Sequence, residues 1–453
     1  MKSIKFLGAA GTVTGSSFLL QRFKESGLLI DLGMFQGPKN IEQLNHDEPQ
    51  FDGGMLEAVI LTHAHLDHCG RLPLLLKKGF KGKIYMTQPT ADLLEITLTD
   101  AVHVAQHNQE HQPLYTEDDV LNLMSHINIV DYHQDFEIGP YKITFYDAGH
   151  IIGSASIKIR DLKPEDGVET VLFSGDIGNY PEDILKSTEM IDKADVVVME
   201  STYGGRVHST ENSTQVITSE INHVEKTGGA LLIPSFSIER TQELLHRIDH
   251  LKSQGAIATT TQVYLDSPMA VKVTEVYRKY RQLYNKELSE HSQRDDPFDF
   301  PGLHITEKYD ESMRIHTQSG PKVIIAGSGM MNGGRIVTHA AHYLPQKSTR
   351  LLIVGYQGEE TLGRKIMEGE RQVTIGDKEI DIKAHISSCT SLSAHADEPR
   401  LLQWLKVIKD VKKVILVHGD DQPRKDLAQA IKEKIGIHNI EMPEMNQTLT
   451  VTT

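Results

Sequence analysis

The chain has 453 residues, 39% of them apolar and 24% charged, a soluble globular composition too long for one ordinary hydrophobic core. No stretch approaches the roughly 20 apolar residues of a membrane span, the Gly/Thr/Ser-broken N-terminus is not expected to act as a secretory signal, and Cys69 and Cys389 alone make no disulfide framework, so a reducing cytoplasm is the expected compartment. The net charge of −15 disfavours a broad basic nucleic-acid surface, while leaving room for a local groove in which cations and a few arginines hold phosphate.

In chain order, "SIKFLGA", "SSFLLQRF" and "GLLIDLG" are predicted strands, the last ending in Asp31. "EAVILTHAH" is a buried strand with polar residues at its end. "GRLPLLLKKG" is a short helix, "GKIYMT" a strand, and a long helix is predicted from about Pro89 to Gln109. "DFEIGPYKITFYDAGHIIGSASIKI" alternates apolar and polar residues around glycine turns, as strands do. "TVLFSGDIG" and "ADVVVMESTYG" are two more apolar strands with polar elbows. After Gly205 the pattern becomes strict β-α alternation, which implies a parallel sheet with helices on both faces. This separate α/β domain is placed at residues 206–362, between a first domain part at 1–205 and its return at 363–453. Within it, "SEHSQRDDPFDFPG" reads as a surface loop.

The densest chemistry is "ILTHAHLDHC", where His63, His65, Asp67 and His68 fall within six positions after an apolar run. Alternation along the strand end lets His63 and His65 point the same way, and a turn can fold Asp67 and His68 round a point. Imidazole and carboxylate donors suit Zn²⁺ or a similar divalent ion. Four donors so close together do not all close on one ion with room for water, so two ions are expected. Further donors stand just past other apolar strands: His150 after "FYDAG", Asp176 after "LFSG", where a carboxylate bridges two ions, and His418 after "VILV". His103, His107 and His111 lie at helical spacing and are read as a solvated or groove-facing helix face. The Cys69 side chain is expected to point into the core.

"HAHLDH" with Asp31, His150, Asp176 and His418 resembles the metallo-β-lactamase fold, an αββα sandwich of two sheets with helices outside. "VVVMESTYGG" with Glu200, "SLSAHAD" with His395 and "VILVHGD" with His418 resemble the three motifs of its β-CASP branch, which carries an inserted α/β domain at the corresponding place. "LGAAGTVTGSSFLL" and "AGSGMMNGGRIVTH" look like the bacterial and archaeal relatives of the eukaryotic mRNA 3′-end cleavage subunit.

The resemblance implies a metal-dependent hydrolase, a ribonuclease acting on single-stranded RNA as an endonuclease, a 5′-exonuclease or both. His63, His65 and His150 are expected to hold one Zn²⁺ and Asp67, His68 and His418 the other, with Asp176 bridging and manganese as the alternative metal. A water between the ions loses a proton near neutral pH and attacks phosphorus, and Asp67 holds the remaining proton. His395, oriented by Glu200, protonates the leaving 3′-oxygen. The products are then a 5′-phosphate and a 3′-hydroxyl. Asp31 is expected to accept a hydrogen bond from a ligand histidine and fix its tautomer. Candidate phosphate contacts are Ser328, Gly329 and Arg335 in a Gly-rich strand–helix turn, Ser235 and Arg240 at another such junction, and Arg364. The expected partner is single-stranded RNA, with DNA, and a homodimer as against a monomer, left open. The rival readings are a small-molecule ester, thioester or lactone hydrolase and a non-catalytic, metal-stabilised RNA-binding subunit.

Overall fold

A computed structural model of the chain describes residues 1–23, 26–107, 113–164, 167–179, 184–358 and 360–451. They form two compact units, Met1–Val207 with His395–Thr453, and His208–Ala394.

The first unit contains two seven-stranded sheets. The parallel strands Thr170–Phe173, Val196–Glu200 and Lys413–Val417 are buried at every residue because they are covered on both faces. In the strand Val196–Glu200, Val196 and Val198 face the other sheet while Val197 and Met199 face the outer helices. Between the sheets lies a core that includes Phe6, Phe18, Ile30, Phe145, Phe173 and Val417. Outside one sheet, Leu29, Val59 and Ile84 pack on Leu94, Leu98 and Val102 of the helix Gln88–His107. Outside the other, Val414 and Leu416 pack on Leu401 and Trp404 of Glu398–Val407 and on Leu427 and Ile431 of Asp421–Lys434. The layers run helix, sheet, sheet, helix, the αββα sandwich expected from the motifs.

Strand direction determines where chemistry can sit. Ser26–Ile30 is parallel to Leu56–Ile60 in one sheet. Thr170–Phe173, Val196–Glu200 and Lys413–Val417 run parallel in the other. The strand Ala155–Asp161 is antiparallel both to Thr170–Phe173 and to Tyr141–Asp147, so the latter two share a direction. The ends of the strands that share a direction within their sheet, and the segments just after them, carry Asp31, residues 62–68, His150, Asp176, Glu200–Thr202 and His418.

The second unit is built on a six-stranded sheet in which every pairing is parallel. The strands Ala230–Pro234 and Lys322–Ala326 at its centre are buried at every residue. The helix Pro268–Lys279 starts where the Ser267 hydroxyl accepts from the Ala270 amide and Pro268 supplies a preset φ. Two differences from the sequence reading have clear causes. The strand His385–Ser388 pairs with Arg350–Ile353, so the inserted unit runs to Ala394, whereas the strand-rich character of the sequence sets its end at 362. The first four residues of the stretch read as a surface loop, Ser289–Ser292, belong to a helix, Lys286–Ser292, because Asn285 caps it by accepting from the Leu288 amide and Leu288 and Ser292 are buried.

Candidate active site

Six strand ends of the first unit deliver their polar residues to one place. Left-handed backbone turns the chain there, at Asp31 (φ 57°), Gly149 (φ 63°), Gly175 (φ 59°) and His418 (φ 50°). The donor atoms of His63, His65, His150 and Asp176 lie within 4.8 Å of one another, and so do those of Asp67, His68 and His418. Asp176 belongs to the first group and borders the second. Its Oδ2 is 3.4 Å from His63 Nε2 and 3.6 Å from His150 Nε2. Its Oδ1 is 3.3 Å from His68 Nε2 and 3.6 Å from His418 Nε2. His65 Nδ1 approaches His63 Nε2 at 3.2 Å and His150 Nε2 at 3.1 Å. His418 Nε2 is 3.3 Å from Asp67 Oδ2.

The backs of three rings are tied, which fixes which nitrogen faces inward. Asp31 Oδ2 accepts from His68 Nδ1 at 2.7 Å, which turns Nε2 inward. Asp31 is itself held by the Thr62 amide and hydroxyl, both at 2.8 Å. Since the Thr62 hydroxyl proton goes to Asp31, its oxygen accepts from His63 Nδ1 at 3.0 Å. Thr202 Oγ1 contacts His418 Nδ1 at 3.0 Å and the His418 carbonyl at 3.2 Å. Sequence reasoning missed Thr62 and Thr202. Their only signals are adjacency, Thr62 directly before the histidine run and Thr202 two residues after Glu200.

Burial above all, with His68 and the other rings, holds the His63 imidazole well below its ordinary value. Burial likewise brings His65 to about 4. Both rings are therefore neutral, the form that binds metal. Burial alone pushes the Asp176 carboxyl up, but His418, His68 and His63 around it override that and hold it well below the usual range.

Glu200 is buried beneath this group. Its Oε1 accepts from the Ile177 amide at 2.6 Å and lies 3.4 Å from His395 Nδ1. His395 is placed by an antiparallel bridge to Gly178 and by the Ala396 amide, which donates to the Ile177 carbonyl at 2.8 Å. Its ring is 4.5 Å from that of His150 and 3.9 Å from Asp176 Oδ2. The His395 side chain is 21% exposed, whereas those of His63 and His150 are 0%. Burial acts to lower the His395 imidazole, but the Glu200 carboxylate outweighs it and raises the group to about 9.

Residues 20–203 match the metallo-beta-lactamase superfamily domain, 241–366 the Beta-Casp domain, and 379–443 the Zn-dependent metallo-hydrolase RNA specificity domain. The chain is 36% identical to Ribonuclease TTHA0252 of Thermus thermophilus, over 93% of this chain and 94% of that protein. It belongs to the β-CASP family of the metallo-β-lactamase superfamily. The same β-CASP chain is 30% identical to Transcription termination factor FttA of Methanocaldococcus jannaschii, over 95% of this chain and 68% of that one. It is 31% identical to an RNase J-like protein of the same organism, over 96% and 97%. A crystal structure of a protein of unknown function from Enterococcus faecalis V583 is alike in fold, with a TM-score of 0.56 at 11% identity over 99% of both chains.

Members of this family are metal-dependent hydrolases, and the donor set fits a divalent ion. Five imidazoles and two carboxylates converge. Asp176 Oδ1 is buried and takes no hydrogen bond among the described residues, an orphan that a cation satisfies. Cys69 stays out of this set: its side chain joins the apolar cluster under the sheet, and burial raises its thiol well above the ordinary value.

The loop residues read as phosphate contacts have partners inside the inserted unit. Arg335 donates to Asp266 Oδ1 at 2.6 Å and to the Thr306 carbonyl at 2.9 Å, and it also reaches the Glu307 carbonyl. Ser235 is buried, with its hydroxyl 3.0 Å from that of Thr241. Arg240 is buried against Glu243. Arg364 donates to Glu368 at 2.6 Å. The Ser328 hydroxyl donates to the Gly333 carbonyl at 3.3 Å, and a Cβ on Gly329 would meet the Phe236 ring at 2.7 Å. On the long helix, His103 contacts Glu117 at 2.9 Å, while the His107 side chain and His111 lie outside the described residues.

Proposed function

We propose that the protein is a ribonuclease that hydrolyses phosphodiester bonds of single-stranded RNA with two Zn²⁺ ions, Mn²⁺ being the alternative, leaving a 5′-phosphate and a 3′-hydroxyl. The observation that carries this reading is Asp176, which offers one carboxylate oxygen to each of two donor groups. The ribonuclease relative matched over nearly its whole length, and the RNA specificity domain at 379–443, support RNA as the substrate.

His63, His65 and His150 would hold one ion and Asp67, His68 and His418 the other. Such ions, when bound, lower the pKa of water and neutralise charge growing on a phosphate. The protein's own residues supply the remainder. Asp31, Thr62 and Thr202 keep the rings aimed inward. His395, partly exposed at the edge of the group and protonated beside Glu200, gives its proton to the leaving 3′-oxygen. Asp67, more exposed than Asp176, would accept a hydrogen bond from the proton that remains on the attacking oxygen.

The test is incubation of the metal-loaded protein with 5′-labelled and 3′-labelled single-stranded RNA, sizing of the fragments and analysis of their ends. Cleavage that stops with chelator and returns with Zn²⁺ or Mn²⁺ is expected. Failure of the metal-loaded protein to cut any single-stranded RNA, with turnover of a thioester or lactone instead, would overturn the proposal.

A further inference from the structure

The inserted unit carries a second convergence of imidazoles. His246 and His250 stand one turn apart on the helix Arg240–Ser253 and therefore share a face. His291 comes from the helix Lys286–Ser292. One donor nitrogen from each of the three lies within 4.8 Å of the other two. His250 Nε2 and His291 Nδ1 are 3.1 Å apart. A tetrahedral zinc ion with Zn–N bonds of 2.0–2.1 Å keeps its donors roughly 3.4 Å apart.

The surroundings orient this trio as ligands are oriented. His291 Nε2 lies 3.3 Å from Asp249 Oδ2, so the carboxylate favours the N–H on that side and leaves the Nδ1 lone pair toward the other rings. The Nδ1 of His250 faces Glu287 Oε1 at 4.0 Å, leaving its Nε2 directed inward. A row of polar contacts from Asp249 through His291 to His250 would explain those two rings without an ion. It does not explain His246. That ring is 3% exposed, sits 4.2 Å from the His250 ring and 5.5 Å from that of His291, and its Nδ1 is buried with no hydrogen-bond partner among the described residues. Burial first, then the two neighbouring imidazoles, brings His246 down to about 3, so it is neutral and able to donate its lone pair.

We propose that His246, His250 and His291 form an additional metal site in the inserted unit, taking one divalent ion of the zinc class. An all-imidazole set selects such ions over Mg²⁺ and Ca²⁺, which want oxygen. The ion would cross-link the helix Lys286–Ser292, and with it the start of the polar stretch that follows, to the helix Arg240–Ser253. The fourth position is left to water or an exchangeable ligand. This inference shares no residue with the proposed catalytic centre and does not rest on the ribonuclease reading.

The test uses the full chain, stripped by chelator and titrated with Zn²⁺ in equilibrium dialysis, beside His250→Gln, His291→Gln and Asp249→Asn. The wild type is expected to bind one more ion per chain than either histidine variant. Asp249→Asn, as a positioning change, keeps the ion but weakens it roughly 10–100-fold. Zn²⁺ is expected to slow amide exchange in residues 286–292 of the wild type and not of His291→Gln. Equal numbers of ions bound with equal affinity by the wild type and both histidine variants overturns the proposal. Should the histidine variants fail to fold, unaltered affinity for every ion in Asp249→Asn overturns it as well.

Discussion

Gly33 is the position where a single methyl group should do most damage to the proposed centre. A Cβ there would lie 1.6 Å from the Asp67 carbonyl oxygen, 2.1 Å from its carbon and 2.7 Å from the His68 amide. The obstructing atoms are backbone, so no rotamer change relieves them. Reaching ordinary 3.4 Å contact requires the two segments to part by about 1.8 Å. Four bonds hold them together: Leu32 N to His68 O at 2.9 Å, Met34 N to Leu66 O at 2.9 Å, Ser16 N to Asp67 O at 2.8 Å and Gly33 N to Ser16 O at 2.8 Å. Metal–ligand distances tolerate only about 0.2 Å, so a shift of this size takes Asp67 and His68 out of register together. Gly33→Ala is expected to lower metal affinity at least about 100-fold and cleavage by a similar factor, since a misplacement of about 1 Å costs roughly 10² in rate. Crowding of this kind also lowers stability, typically by about 1–3 kcal/mol. Metal content after dialysis, thermal melting and RNA turnover measure the three effects. Gly333→Ala is the control, because a Cβ there meets nothing within 4 Å. Full metal content and turnover in Gly33→Ala would refute the claim that the approach of residues 32–34 to 66–68 sets the centre.

Further predictions rest on single contacts. His395→Ala is expected to slow RNA cleavage by about 10²–10⁴-fold while metal content by mass spectrometry stays at the wild-type level. Asp31→Asn loses the acceptor that orients His68 and should weaken metal binding roughly 10–100-fold in a chelator competition. Asp266 is buried, and burial alone would raise its carboxyl, but His339, Ser312, Thr306 and Arg335 bring it down to about 2. Its contribution, on the order of 2 kcal/mol, is therefore present above pH 3.8 and lost as pH falls from there toward 2. Urea melts of Asp266→Asn and wild type should differ at pH 7 and converge near pH 2.

The donors at the strand ends were legible because an apolar run that stops at a polar residue marks both a buried strand and its exit. "VILTHAH", "VLFSGD" and "VILVHGD" all have this form, and their residues do converge. What stayed hidden depends on pairing between distant residues. Nothing local to Thr202 announces that its hydroxyl will meet His418, 216 residues away. Gly33 reads as an ordinary turn glycine until residues 66–68 are packed against it. The reading of Arg335 as a phosphate contact came from the Gly-rich turn before it, yet its nearest anion is Asp266, 69 residues earlier. The strand His385–Ser388 has no fully buried residue, so its sequence gives no sign of which sheet it joins, and only its register with Arg350–Ile353 assigns it.

The left-handed turns explain why so many strands can share one target. An extended exit would send successive side chains to opposite faces, and donors from two sheets would then diverge. A residue with positive φ reverses that alternation within one step. For a non-glycine residue the conformation costs roughly 1–2 kcal/mol, and it persists where neighbours over-determine it. Asp31 is held by three hydrogen bonds to its carboxylate and by its own amide to the Ile60 carbonyl at 3.0 Å. His418 is held by its amide to the Ala9 carbonyl at 2.8 Å and by Thr202 on its ring. Where no such anchoring side chain is needed, glycine takes the turn, at 149 and 175, one residue before His150 and Asp176. The strain thus falls on two residues whose side chains are themselves fastened, Asp31 and His418, while His150 and Asp176 each follow an unstrained glycine. The geometry of the centre is a property of the strand exits, with the fastening of Asp31 and His418 as its stiffest points.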